Sequence, residues 1–388
     1  MNKRNLSIEG MRGVASIAVV MSHFMVAFYP AAYWGASSMS HTTSGWDIKL
    51  SQSPLSIFYA GNFFVCVFYV ICGFGFAANY FSGGGYKLKE TITKRFFRLF
   101  IPILVVDCIY FLAVKANIMT STSVADITGS EWLRGMYSFE GGLRGFITDV
   151  YYRTMFCGSS QYNSALWTIA YLLYGSFLTA FILLVWGNMK RRWIVYLLFC
   201  VNLWIMGDQG TITCNYFMAF IIGMAIADWK EHTSLRIRNW FGMLLVLISV
   251  FFAGYPMGVA PTNIYRFLNI GEKAPVLWHV IGAGIMIFAV IYSEWIGKIL
   301  RNKMIQFMGK ISFSIYLIHM LVLCSFSTSL FRLLFENGMR YAVAFGVTLV
   351  LSLCVIIGAG YISYRVIEKN TNTLLSKMIC IFDKNIVI

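Results

Sequence analysis

Apolar stretches of roughly 17 to 22 residues recur from one end of the chain to the other, separated by short polar breaks, and each is long enough to cross a hydrocarbon core of about 30 Å. Lipid offers no partner for an unpaired backbone N–H or C=O, so each stretch is expected to be a helix. The pattern predicts spans near 13–33, 60–80, 99–119, 165–187, 193–209, 212–228, 240–256, 276–294, 312–331 and 342–364. The expected fold class is therefore an all-α, polytopic integral membrane bundle of about ten transmembrane helices. It forms a single domain over 1–388, with an outer loop at about 120–164, a short tail at about 365–388 and no separate soluble domain.

Composition strengthens this picture, because 59% hydrophobic residues against 12% charged ones leave too little polar surface to coat a soluble domain. The formal charge of +15 then reads as a topology signal. With both termini cytoplasmic, 22 of the 31 Lys and Arg residues fall on the inner side, as the positive-inside rule requires of a multi-pass protein of the cytoplasmic membrane. A nucleic-acid partner is not expected, since these charges are split among short loops facing anionic lipid headgroups. Most of the nine cysteines (among them Cys66, Cys72, Cys108, Cys200, Cys324 and Cys354) sit in apolar runs without CxxC spacing, which makes them core filler and implies no metal site. Lys3 and Arg4 precede the first apolar run as in a secretory leader, but that run carries His23 and lacks a small-residue cleavage site, so it is expected to remain as a helix. Gly83-Gly84-Gly85 lacks the GxxxxGK[ST] frame of a phosphate loop and predicts a cytoplasmic turn. The outer loop mixes Asp126, Glu131, Glu140 and Asp149 with Arg134, Arg144, Arg153, Trp132 and several tyrosines, a surface suited to sugar or to ordinary loop packing.

An ionisable group at membrane depth is costly, which makes each one a functional candidate. His23 follows Arg12 by eleven residues, about 16 Å along a helix and about 1100° of rotation, so both side chains return to nearly one face. Arg12 is expected at the inner interface and His23 near the midplane. The same pair also fits a histidine bonded within the bundle and an arginine anchoring the helix. Lys94-Arg95-Phe96-Phe97-Arg98 precedes the third span, and its two arginines three residues apart share a face suited to gripping phosphates, or to anchoring at the headgroups. Gly309-Lys310-Ile311-Ser312-Phe313-Ser314-Ile315-Tyr316-Leu317-Ile318-His319 carries a second histidine roughly 10 Å into the bilayer. Two histidines at similar depth point to a shared cavity, for which Tyr316, Ser312 and Trp167 are candidate lining residues.

These segments together resemble the membrane-bound acyltransferase 3 family, O-acetyltransferases of surface or secreted carbohydrates. Glu9-Gly10-Met11-Arg12-Gly13-Val14-Ala15 is similar to the family's opening, and Arg12 to His23 fits its Arg-x10-His spacing. Arg95 to Arg98 fits its RxxR. Phe68-Tyr69-Val70-Ile71-Cys72-Gly73-Phe74, Ala165-Leu166-Trp167-Thr168-Ile169 with Gly175-Ser176, and the Gly309 to His319 segment each look like family stretches. Gly223 with Ala227-Asp228, and Tyr364-Arg365-Val366-Ile367-Glu368, add to the likeness. The chain departs from the pattern at Cys72, where a serine is usual, at Leu172, where many relatives carry glutamate, and at Cys66, which replaces a frequent acidic residue.

The resemblance implies acetyl-CoA as donor, its phosphates held at the inner face by Arg95 and Arg98, with Arg12 a third candidate. It implies His23 as general base toward a sugar hydroxyl, or as a transient acyl carrier. Asp107 is the acidic side chain placed at similar depth to orient that imidazole. The implied partners are acetyl-CoA, a carbohydrate or lipid-linked glycan acceptor and membrane lipids. Two other classes stay open: a transporter that relays protons through its histidines, and a non-catalytic component of polysaccharide synthesis.

Overall fold

The structure, a computed structural model, describes residues 5–139 and 141–385. Lys3, Arg4 and Glu140 lie outside the described residues, as do the side chains of Lys87 and Lys384. Apart from a two-stranded antiparallel ribbon that pairs Asp208 with Thr213 and Gln209 with Ile212, the described chain is helical or irregular.

Every expected apolar stretch is a helix: α1 (Leu6–Phe28), α2 (Gly61–Gly85), α3 (Leu88–Lys115), α4 (Ser164–Trp186), α5 (Trp193–Met206), α6 (Phe217–His232), α7 (Asn239–Ala253), α8 (Ala274–Tyr292), α9 (Lys303–Glu336) and α10 (Tyr341–Ser363). Among the described residues seven are long and apolar enough to cross a membrane: α1, α2, α3, α4, α8, α9 and the helix that α10 begins. The other three have 14, 16 and 15 residues, short of the roughly 20 that a straight crossing takes. The shortfall in α6 arises where 212–216, expected in the span, turn through the ribbon and a 3-10 turn. Residues 364–368 continue α10 as a π turn into Lys369–Asn385, so the expected tail is helical. The expected outer loop is also partly helical, with Ser121–Thr128, Glu131–Arg134, Leu143–Thr148 and a π-helical Asp149–Cys157.

Local chemistry sets the boundaries. Asn5 caps α1, its side-chain oxygen accepting from the backbone N–H of Ser7 at 3.1 Å and of Ile8 at 3.4 Å, and α1 stops two residues before Pro30. This start lies seven residues ahead of the expected one. Arg12 accordingly stands in the second turn of α1, and His23 lies about 9 Å past the helix midpoint toward Phe28. Between α2 and α3 the expected glycine turn is a break at Gly84, whose φ of 64° and ψ of −164° suit a residue without a Cβ. α9 begins at Lys303, not near 312, which moves His319 from the expected shallow position to the middle of that helix.

The chain forms two compact units, each assembled from three stretches. The first takes the chain up to Leu88, Ala125–Arg134 and Tyr174–Ser312; the second takes Lys89–Val124, Gly135–Leu173 and the chain from Phe313. Within the first, α1 meets the beginning of α9 backbone to backbone. A Cβ on Gly13 would lie 2.6 Å from the Gly309 nitrogen, and one on Gly309 would overlap the Glu9 carbonyl oxygen. The glycines of the opening motif and of the Gly309 to His319 segment are thus two halves of one helix contact, which in lipid relies on close van der Waals packing. Asp228 accepts two hydrogen bonds from the Arg192 guanidinium, at 2.6 and 2.5 Å, and one from Tyr196 Oη at 3.1 Å, tying the loop before α5 to the end of α6.

Candidate functional site

The predicted site residues divide between the two units: Arg12, His23 and Ser312 in the first, and Arg95, Arg98, Asp107, Trp167, Tyr316 and His319 in the second.

In the first unit His23 is half-buried on α1, and its Nδ1 lies 2.9 Å from the Val19 carbonyl oxygen. A carbonyl only accepts, so Nδ1 carries the proton and Nε2 is the basic nitrogen. The expected outer loop folds back onto this end of α1. Ser130 Oγ donates to the Val26 carbonyl at 2.7 Å, and the Trp132 ring centre stands 5.7 Å from that of His23. Trp132 is a neighbour that sequence reasoning treated only as part of the loop surface; 109 positions separate it from its partner, and no local signal links them. Arg12 is half-buried. Ser312 Oγ donates to the Gly309 carbonyl of its own helix at 2.9 Å, so its hydroxyl is engaged locally.

In the second unit α3 meets α4 where Arg95 Nη2 donates to the Leu172 carbonyl at 3.4 Å. The backbone of the residue that stands in place of a glutamate therefore receives one arm of the RxxR pair, while Arg98 is exposed. Tyr316 is buried, its hydroxyl donating to the Ala165 carbonyl and lying 2.6 Å from Thr168 Oγ1, which fastens α9 to the start of α4 beside Trp167. Trp167 is half-buried with its ring centre 5.5 Å from that of Tyr171. His319, 5.8 Å from Tyr316 between ring centres, places Nδ1 at 2.8 Å from the Tyr316 carbonyl and 3.2 Å from that of Ile315, so its Nε2 is likewise the basic nitrogen. Asp107 is fully buried, and neither carboxylate oxygen has a hydrogen-bond partner among the described residues. Ser314 Oγ donates to Glu368 at 2.9 Å, which joins the tail motif to α9.

Sequence reasoning missed a third embedded histidine. His279 on α8 donates from Nε2 to the Tyr255 carbonyl at 3.1 Å and accepts at Nδ1 from Asn62 Nδ2 at 2.8 Å, while Tyr216 donates to Asn62 Oδ1. The signal was present in the chain, since Asn62 and His279 are both polar residues inside apolar runs. Among the described residues no group of three His, Cys, Asp or Glu side chains is placed to hold a metal ion.

The family model Acyl_transf_3, an acyltransferase domain, matches residues 5–359. The chain belongs to the acyltransferase 3 family. It is also similar to two fungal proteins, Acyltransferase R4 of Phoma sp., at 26% identity, and Acyltransferase clz18 of Cochliobolus lunatus, at 27%. Each alignment takes in 57% of this chain and 52% of the relative, so the chain spans about half the length of the curated relatives it matches. No solved structure matches it. Membership in the acyltransferase 3 family agrees with the apolar helices in making this a multi-pass membrane protein.

Proposed function

We propose that the protein is a membrane O-acetyltransferase that takes an acetyl group from cytoplasmic acetyl-CoA and delivers it to a carbohydrate hydroxyl of a surface or secreted glycan. The observation that carries this reading is the match to the acyltransferase family model over residues 5–359; within that stretch the Nδ1–H bond from His23 to the Val19 carbonyl makes Nε2 the basic nitrogen. A sugar hydroxyl is a poor nucleophile until a base removes its proton, and a neutral imidazole performs that step. In this reading Arg95 and Arg98 grip the CoA phosphates and Arg12 adds a third cation; the imidazole is oriented by the Val19 carbonyl and not by Asp107, whose carboxylate oxygens have no hydrogen-bond partner among the described residues. Both termini face the cytoplasm, and the protein resides in the cytoplasmic membrane. The family match and the relatives named acyltransferases support the reaction class.

The test is mass spectrometry of cell glycans with and without the protein, paired with transfer of labelled acetyl from acetyl-CoA by the purified chain in lipid nanodiscs. Loss of O-acetyl groups on deletion, with label entering glycan in vitro, is the expected result. Identical glycans and no acetyl-CoA binding would sink the proposal. Its orientation fails separately, if a C-terminal reporter is active only on the outer side.

A further inference from the structure

Of the expected outer loop, only Ala125–Arg134 belongs to the first unit, where it forms a strap over the Phe28 end of α1. The strap is bonded down just ahead of Trp132. Ser130 Oγ donates to the Val26 carbonyl at 2.7 Å and accepts from the Leu133 N–H at 3.3 Å, and His41 Nε2 donates to the Thr128 carbonyl. Thr128, Ser130 and Leu133 are fully buried by these contacts. Trp132 is only half-buried among them, and so is His23, with the two ring centres 5.7 Å apart and the planes tilted by 40°. Each ring keeps accessible surface, so an aromatic face and a nitrogen base stand side by side. A tryptophan near a membrane surface is commonly a headgroup anchor with its ring turned to lipid. Trp193, Trp229 and Trp240 suit that role, being 60%, 55% and 62% exposed. Trp132 differs, because its ring is turned onto an ionisable side chain of α1 by a strap whose neighbouring residues are locked in place.

We infer that Trp132 is the acceptor-binding residue of the His23 site, stacking against the sugar ring whose hydroxyl His23 deprotonates, an inference that rests on the reading of the protein as a glycan acetyltransferase. A sugar ring has an apolar C–H face, which an aromatic ring covers, and an edge of hydroxyls. With its C–H face on the indole, the sugar presents an edge hydroxyl to the imidazole alongside. In the transfer the sugar oxygen bonds to the acetyl carbon as the carbon–sulfur bond of the thioester breaks. The hydroxyl proton passes through Nε2 of His23 to the departing thiolate. An aliphatic side chain at 132 would pack against His23 but offers a sugar no π-face, so aromaticity at this position separates acceptor binding from packing.

The experiment uses the full-length chain in nanodiscs, with unacetylated glycan released from cells whose own copy is deleted as the acceptor. Trp132→Leu should raise the KM for this glycan by roughly tenfold or more, whereas Trp132→Phe, which keeps a π-face, should raise it by less than about threefold. Acetyl-CoA affinity should stay at the wild-type value in both. A second readout needs no variant: in hydroxyl-radical footprinting of the wild type, the glycan should protect Trp132 from oxidation and leave Trp240, exposed at the start of α7, unchanged. Equal KM values for the Leu and Phe variants, or oxidation of Trp132 indifferent to glycan, each overturns the stacking role. Absence of glycan acetylation and of acetyl-CoA binding in the wild type overturns instead the functional reading beneath it.

Discussion

His279 and His23 are both imidazoles embedded in apolar helices of the first unit, and their hydrogen bonds reach differently. His279 joins three elements: both ring nitrogens are engaged, one by the carbonyl of Tyr255 beyond α7 and the other by Asn62 of α2, which Tyr216 holds in turn. The Nδ1 of His23 bonds one turn back, to its own helix, while the ring meets Trp132 from a distant loop. A histidine saturated by rigid partners from several helices braces the bundle and has no valence left for chemistry. One whose Nδ1 is held by its own helix has its tautomer set for use as a base. Residence in an apolar helix is thus common to both, and under the proposed function the hydrogen-bond partners separate a structural imidazole from a chemical one.

The comparison breaks most visibly at His23. His23→Ala should lower acetyl transfer by at least about 100-fold, the lower end of what a general base contributes, while acetyl-CoA binding and membrane insertion stay at wild-type levels. His319→Ala, which removes an imidazole held the same way in the second unit, should cause a milder defect. A His23→Ala protein that acetylates at wild-type rate makes His23 structural. His279→Ala should do the opposite, costing about 2–5 kcal/mol because the Asn62 Nδ2 amide and the Tyr255 carbonyl each lose a buried hydrogen-bond partner. Thermal unfolding in nanodiscs reads that loss, and an unchanged Tm with lost activity would reverse the assignment of the two histidines.

Smaller effects sharpen the contrast. Arg95→Ala or Arg98→Ala should weaken acetyl-CoA binding by about 1.5–3 kcal/mol each, the worth of a charged hydrogen bond, as measured by calorimetric titration. Unchanged affinity in both variants returns them to headgroup anchors. Smallest is a pH effect at Asp47, in the segment between α1 and α2. Burial alone would raise its pKa, but hydrogen bonds from Thr42, Ser40 and the backbone N–H groups of His41 and Ile48 outweigh it and hold the carboxyl below its ordinary 3.8. A depressed carboxyl contributes its full stability above the unfolded value and loses it as pH falls through the folded one. The wild-type Tm should therefore fall more steeply than that of Asp47→Asn on going below about pH 4, so that the difference between the two narrows. A Tm difference that stays constant from neutral pH to pH 3 would remove Asp47 from the account.

Much of this protein was determined by the order of its residues alone. Apolar runs of membrane-crossing length leave helix as the only structure that satisfies the backbone, so all ten helices, the break at the glycine run and the family motifs could be located from one chain. Boundaries near 13 and 312 were displaced, because Asn5 caps α1 early and α9 extends past its apolar run to Lys303. Spacing put Arg12 and His23 on one face, since an α-helix has a fixed rotation per residue. Tertiary structure alone decided the rest. The contact of Gly13 with Gly309, the arrival of Trp132 beside His23 and the saturation of His279 all join residues far apart in sequence. Helix periodicity carries information over a few turns, whereas which faces meet is set by close packing among whole helices, and no local pattern encodes it.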